Sequence, residues 1–159
     1  MLVPLSRGKF ALIDNEDYDL ISKYTWHVVL ERKLYYRAKS STGLGKKGAF
    51  IYMSRLIMNA KPGQVVDHKN GNTLDNQKKN LRFCSHTENK RNCVKHRDSK
   101  NPYKGVTKRR YGWDAKISFN KKGIYIGKFA TAKKAAIAYD MAAQYFFGEF
   151  ARLNFTKTR

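Results

Sequence analysis

Between residues 65 and 89 a histidine, carboxylates and asparagine amides recur at short intervals in an otherwise basic chain. The run is Val65-Val66-Asp67-His68, a polar loop, Asp75-Asn76, then Asn80-Leu81-Arg82-Phe83 and Asn89. An imidazole titrates near neutrality and is suited to take a proton from water. A carboxylate and an amide carbonyl are hard oxygen donors of the kind Mg²⁺ accepts, often only one or two from protein, with phosphate and water as the rest. Base, oxygen ligands and an in-line nucleophile are what phosphodiester hydrolysis needs. On its own an Asp-His pair most often belongs to an ordinary hydrogen-bonded loop; Asn80, Asn89 and the surrounding positive charge turn the reading toward chemistry. In an extended strand Asp67 and His68 point to opposite faces, so a local turn or the metal geometry has to bring both to one phosphate.

The elements that position these residues are read from the pattern around them. From Lys61 to Asp98 large apolar residues are few, and asparagine stands at 70, 72, 76, 80, 89 and 92. Asparagine is unfavourable in helices and strands, so the segment reads as a loop held by side-chain hydrogen bonds. Ser85-His86-Thr87-Glu88 is a capping box that starts a helix through about His96, with Asn89, Asn92 and His96 along one face. Upstream, from Lys9 to about Ala60, short apolar stretches split by turns predict a small α+β unit. Strands are expected at Phe10–Ile13, Leu34–Ala38 and, after a Gly43–Gly48 turn, Ala49–Met53, with helical spacing from Tyr18 to Trp26 and Asp14 as its N-cap.

Downstream the periodicity is clearer. Val106–Arg109 predicts one strand, and Trp113, Ala115, Ile117 and Phe119 alternate with polar residues as a second. Asn120-Lys121-Lys122-Gly123 is a hairpin signal, and Ile124–Phe129 returns as a third strand. Thr131 caps a helix whose Ala132, Ala135, Ala136, Tyr139, Ala142, Ala143 and Phe146 form one stripe, ended by Gly148. The outer face of this sheet is expected to carry Lys108 and Lys116, near Lys121 and Lys122.

The charge has the same two-part organisation. The 159 residues hold 33 Lys+Arg against 12 Asp+Glu, a net charge of +21. Residues 1–99 carry 19 basic and 9 acidic side chains, net +10; residues 100–159 carry 14 and 3, net +11. Interleaved aromatic and β-branched residues mark both parts as folded rather than as charged tails. A surplus this large repels itself unless a polyanion relieves it, which points to nucleic acid. No apolar run approaches the length of a bilayer span, and the opening residues lack a secretory pattern, so the expected place is the cytoplasm, on nucleoid or phage DNA. Cys84, His86, Cys93 and His96 have the spacing C-x-H-x6-C-x2-H, which is not the usual finger pattern; structural zinc is not expected, and the cysteines read as small hydrophobes. His27 reads as structural.

The string DHKNGNTLDNQKKNLRF followed by HTENKRN resembles the HNH endonucleases of the ββα-metal class, closest to the homing-type enzymes of bacteriophages. The resemblance covers about residues 50–95. It implies that His68 is the general base and that Asp67 and Asn89 hold one divalent cation, Mg²⁺ or another such as Mn²⁺. It also implies that Asn80 braces the loop orienting His68, and that Arg55 and Arg82 contact DNA. The sequence departs from the pattern at Met53-Ser54-Arg55-Leu56, where the family often has Met-His-Arg-Leu.

Tyr103-Lys104-Gly105-Val106, Trp113-Asp114-Ala115-Lys116-Ile117, Tyr125-Ile126-Gly127-Lys128-Phe129 and the ending Ala151-Arg152-Leu153-Asn154-Phe155 are similar to the plant Apetala-type (ethylene-response-factor) DNA-binding domain over about 55 residues. That family lays its sheet in the major groove, where base edges are distinguishable. The groove-facing positions implied are Lys104, Thr107, Arg109, Tyr111, Lys116, Ser118 and Tyr125. Several arginines of the plant pattern are Lys, Thr or Ser here, and one residue is missing between Gly112 and Trp113.

The expectation is an α+β protein. A ββα-metal nuclease domain with a small N-terminal α+β extension occupies residues 1–98, and a three-stranded sheet on one helix occupies 99–159. Its function is expected to be site-directed cleavage of double-stranded DNA, one strand per visit as a monomer or both as a dimer, with no membrane or protein partner implied. The alternative is a DNA-binding protein on an HNH scaffold that does not cut.

Overall fold

The computed structural model describes residues 1–31, 35–41, 50–92 and 101–155. The Gly43–Gly48 turn, the first residues of two expected strands (Leu34 and Ala49), Cys93 and His96 lie outside them. The fold is mixed α+β with several small sheets, in two compact units, Met1–His86 and Thr87–Arg159. The division expected from sequence falls at residue 98.

In the first unit, β1 (Leu2–Pro4) pairs antiparallel with β2 (Phe10–Leu12), and β3 (His27–Glu31), β4 (Tyr35–Ser41) and β5 (Phe50–Tyr52) form an antiparallel sheet in that order. The helical spacing from Tyr18 gives only α1 (Tyr18–Ile21) after a 3₁₀ turn at Asn15–Asp17. The helix ends there in a turn, where the carbonyl of Ile21 accepts the amide of Tyr24 at 3.2 Å and the buried indole N–H of Trp26 at 2.9 Å. Asp14 stands at the N-cap position but makes no side-chain cap; its carboxylate reaches a turn more than sixty residues away instead. A short helix, α2 (Met53–Ile57), precedes β6 (Val65–His68) and β7 (Leu81–Cys84), an antiparallel pair in which Asp67 faces Arg82 and His68 faces Leu81. Ala11, Ile13, Ile21, Trp26, Val28, Ala38, Met53, Val66 and Leu81 share one core. The N-terminal extension and the Asn-rich segment therefore bury the same apolar surface, and neither supplies a core alone.

In the second unit, α3 (His86–Arg91, beginning on the last residue of the first unit) is followed by β8 (Val106–Arg109), β9 (Gly112–Phe119) and β10 (Lys122–Phe129), with β9 central. The hairpin turn is two residues long: Phe119 pairs with Lys122, and Asn120 and Lys121 have φ of 49° and 64°. These left-handed values match the twist of the strands, as in a type I′ turn. The third strand thus starts two residues before its expected position at Ile124. Helix α4 (Ala132–Phe147) is capped by the Thr131 hydroxyl, which accepts the amide of Lys134, and packs Ala135, Ala136, Tyr139, Ala143 and Phe147 against the sheet. Gly105, at φ +74°, lets the Tyr139 ring lie where a Cβ would stand 2.0 Å from Cδ2. Asp140 accepts the backbone amides of Asn154 and Phe155 at 2.8 and 2.9 Å, and Asn154 clasps both the amide and the carbonyl of Lys104. The Arg-Leu-Asn-Phe ending is thus a structural clasp.

Candidate active site and nucleic-acid interface

The Asn-rich loop is built from backbone outward. Asn80 closes a 3₁₀ turn (Lys78–Asn80); its Nδ2 donates to the Asp75 carbonyl at 2.7 Å, and its Oδ1 accepts the Asn70 amide at 3.0 Å. Lys69 N donates to the Asn80 carbonyl at 2.8 Å, so one residue ties both ends of the 69–75 loop. The extension holds the same loop from its other side. Leu12 N donates to the Leu74 carbonyl, Leu12 O accepts the Asn76 amide, and the Asp14 carboxylate accepts Lys78 N at 2.7 Å and Gln77 Nε2 at 3.1 Å. Thr73 Oγ1 donates to the Tyr36 carbonyl.

His68, 4% exposed, ends β6, and its Nε2 lies 3.1 Å from Oδ1 of Asn76, a residue 1% exposed. Asn76 donates its own Nδ2 to the Leu74 carbonyl, so its oxygen faces the imidazole. An amide oxygen can only accept; Nε2 therefore carries the hydrogen in the neutral ring, and Nδ1 carries the basic lone pair. Burial pushes the imidazole pKa below its ordinary value; the Asn76 bond opposes this, the charge of Arg37 adds to it, and Asp67 and Asp75 oppose it. Asn76 was part of the motif in sequence without a role. Its adjacency to Asp75 is the only signal there, because what holds an imidazole depends on the loop's fold.

Asp67 and His68 leave β6 on opposite faces, with no local turn to bring them together. Asp67 Oδ2 accepts Nε and Nη2 of Arg82 at 3.0 and 2.8 Å, both residues being buried. Arg82, expected on DNA, is thus turned inward because a buried carboxylate needs a counter-charge. Arg55, also expected on DNA, has its guanidinium on the carbonyls of Gln64, Lys61 and Ala60, where it fastens the turn after α2. Ser54 is buried in that helix. Asn89 lies on α3 among the residues of the second unit, whereas Asp67 belongs to the first. Among the described residues no three His, Cys, Asp or Glu side chains gather as a metal cluster.

The second unit presents a different surface. Register and alternation put Thr107, Arg109, Asp114, Lys116, Ser118, Tyr125 and Lys128 on the sheet face away from α4. Arg109 Nε meets Asp114 at 2.9 Å, which holds that carboxyl below its usual range, and the Tyr125 hydroxyl lies 3.4 Å from the same side chain. Lys116 Nζ sits 5.6 Å from the centre of the Tyr125 ring. Tyr111 is exposed between Arg110 and Lys128. Two expected contacts sit elsewhere. Lys108 pairs with Trp113, whose ring packs with the core, so it points to the helix side rather than the free face. Lys104 Nζ donates to the Arg91 carbonyl at 2.7 Å, and the Arg91 guanidinium lies over the rings of Phe119 and Phe147.

A buried, braced histidine beside an acidic residue, on a strand pair leading into a helix, meets a family model described as HNH endonuclease over residues 59–91. The chain is also 32% identical over 157 residues to an uncharacterised HNH endonuclease of Acanthamoeba polyphaga mimivirus, covering 96% of this chain and 79% of that protein. The chain belongs to the HNH endonuclease family. Its C-terminal part is AP2-like: it is 42% identical over 64 residues to dehydration-responsive element-binding protein 2E of Arabidopsis thaliana, and 46% identical over 57 residues to the ethylene-responsive transcription factor ERF010. These matches cover 33% and 34% of this chain but 26% and 31% of the plant proteins. No solved structure matches the chain.

Proposed function

We propose that the protein is a site-directed, homing-type DNA endonuclease that cuts one strand per visit as a monomer. The observation that carries the reading is His68, fixed in one tautomer by Asn76 within a loop tied by Asn80, inside the stretch matched by the HNH model. In this reading His68 takes a proton from water as the water oxygen bonds phosphorus and a P–O ester bond breaks. Asp67 and Asn89 fit a hard divalent cation by donor type, with phosphate and water as the remaining ligands, and Arg82 competes for Asp67 Oδ2. When bound, the cation supplies charge stabilisation at the leaving oxygen. The sheet face bearing Thr107, Arg109, Lys116, Ser118 and Tyr125 would hold the chosen duplex sequence, as the names of the plant relatives suggest for those proteins.

The test is supercoiled plasmid and a library of duplex sites with Mg²⁺ or Mn²⁺, wild type against His68→Ala. Nicking by the wild type, lost in the variant with binding kept, supports the reading; specific binding without cleavage in either metal defeats it. That second outcome is the other reading, a DNA-binding protein that does not cut. It is favoured by the Asp67–Arg82 ion pair and by an imidazole that is 4% exposed.

A further inference from the structure

We propose that Asp114 sets what the sheet reads: its carboxylate holds Arg109 by Nε and reserves the rest of that guanidinium for a guanine edge rather than a phosphate. The inference rests on the reading of this sheet face as the surface that chooses the duplex sequence. It deepens that reading with a residue absent from the groove-facing positions that the plant resemblance implies.

Asp114 is the one acidic residue of β8, β9 and β10. In register it stands between Thr107 on β8 and Lys128 on β10, with Lys116 two positions along β9. Its neighbours Trp113 and Ala115 pack toward the core, so alternation puts Asp114 on the free face. Arg109, two positions beyond Thr107, reaches it diagonally, Nε to Oδ2 at 2.9 Å. The Tyr125 hydroxyl lies 3.4 Å from the other oxygen, Oδ1. The Asp114 side chain is 13% exposed and that of Arg109 51%, so the carboxylate is the covered end of the pair and the guanidinium the open one. Among the described residues, Nη1 and Nη2 of Arg109 have no hydrogen-bond partner.

A carboxylate in the middle of a cationic face works against binding a polyanion. An exposed ion pair also adds little to stability, so neither affinity nor folding accounts for it. What it changes is the partner that Arg109 accepts. A guanidinium already matched by a carboxylate 2.9 Å away draws a phosphate weakly, because the second anion meets the first. A guanine edge is neutral, and its O6 and N7 accept two N–H bonds from a fixed guanidinium in the major groove. Lys116 and Lys128 lie against tyrosine rings instead and keep their charge for phosphate. The face thus separates one reading arginine from the cations that only hold the duplex.

The experiment uses the full chain in EDTA, so that binding is read apart from cleavage. Wild type, Asp114→Ala, Asp114→Asn, Arg109→Ala and Lys128→Ala each select from a library of duplex sites, and Kd for a random-sequence duplex is measured across a salt series. Wild type is expected to prefer guanine at one base pair by about tenfold. Asp114→Ala and Arg109→Ala should both lose that preference, at the same base pair. Their affinities for random duplex should part. Asp114→Ala is expected to bind about threefold tighter, with a salt slope steeper by about 0.9 as Arg109 turns to phosphate, and Arg109→Ala should gain nothing. Asp114→Asn keeps an acceptor for Nε and should retain part of the preference, whereas Lys128→Ala should weaken binding to all sequences alike. An Asp114→Ala variant that keeps the wild-type preference makes the carboxylate a surface charge only and overturns the proposal. Should that variant fail to fold, the same limit applies to Asp114→Thr, a residue suited to a strand. If the wild type prefers no sequence, the site-choosing reading itself fails, and the inference falls with it.

Discussion

Both units carry a basic surplus, +8 for residues 1–86 and +13 for residues 87–159, yet use it in opposite ways. In the first unit Arg55 binds backbone carbonyls, Arg82 binds Asp67 and Arg37 lies among aromatic rings, while His68, Asn76 and Asn80 are covered. In the second unit Thr107, Arg109, Lys116, Ser118 and Tyr125 stand exposed on one sheet face. Buried polar groups are costly to misplace and so become rigid, which suits a reacting centre. Exposed cations stay hydrated and mobile, which suits register and affinity on a polyanion. Charge of one sign therefore does not mean one use.

The contrast can be broken by variants, the largest effect first. His68→Ala should reduce the cleavage rate about 10³-fold while leaving duplex affinity near wild type, measured by plasmid nicking and gel shift. Asp67→Ala leaves Arg82 buried without that carboxylate and should cost ~3–5 kcal/mol in urea unfolding, partly restored by adding Arg82→Met. Replacing Thr107, Arg109, Lys116 and Tyr125 together with alanine should weaken duplex binding about 10²-fold; unchanged turnover per bound complex would keep the two roles separate. Gly105→Ala sets a Cβ 2.0 Å from the Tyr139 ring at φ +74°, and a loss of about 2 kcal/mol in thermal unfolding is expected.

The smallest effect is on pH. Because burial holds the folded His68 pKa below 6.5, the unfolded chain binds the proton first as pH falls. The stabilising contribution is whole above pH 6.5 and declines below it, by at most about 1.4 kcal/mol per pH unit for one proton. Urea unfolding at several pH values below neutrality should show this slope, and His68→Gln should flatten it.

The sheet and helix of the second unit are legible in sequence because their signals are local. Alternation along Trp113–Phe119, a hairpin signal at Asn120–Gly123 and the Thr131 cap each depend on neighbours a few positions apart, although the turn itself is two residues shorter than that signal. Strand alternation alone would have put Lys108 on the correct side, since it pairs with Trp113. The first unit resisted because its determinants are distant. That Asp14 would cap a turn at Lys78, or that Arg82 would turn inward to Asp67, follows from pairing that no window of sequence contains. His68 and Asn80 stand out as a motif in sequence, whereas Asn76 meets the imidazole only through the fold of the loop.

The parallel bridge between Leu12 and Asp75 joins residues 75 − 12 = 63 positions apart. Closing so long a stretch of chain is slow compared with forming a hairpin, so the loop that carries the histidine is fastened late in folding. A fragment of residues 59–91 alone has the motif but lacks its clamp. The loop that carries the histidine therefore takes its shape from the whole first unit, a dependence written into topology rather than into any residue of the motif.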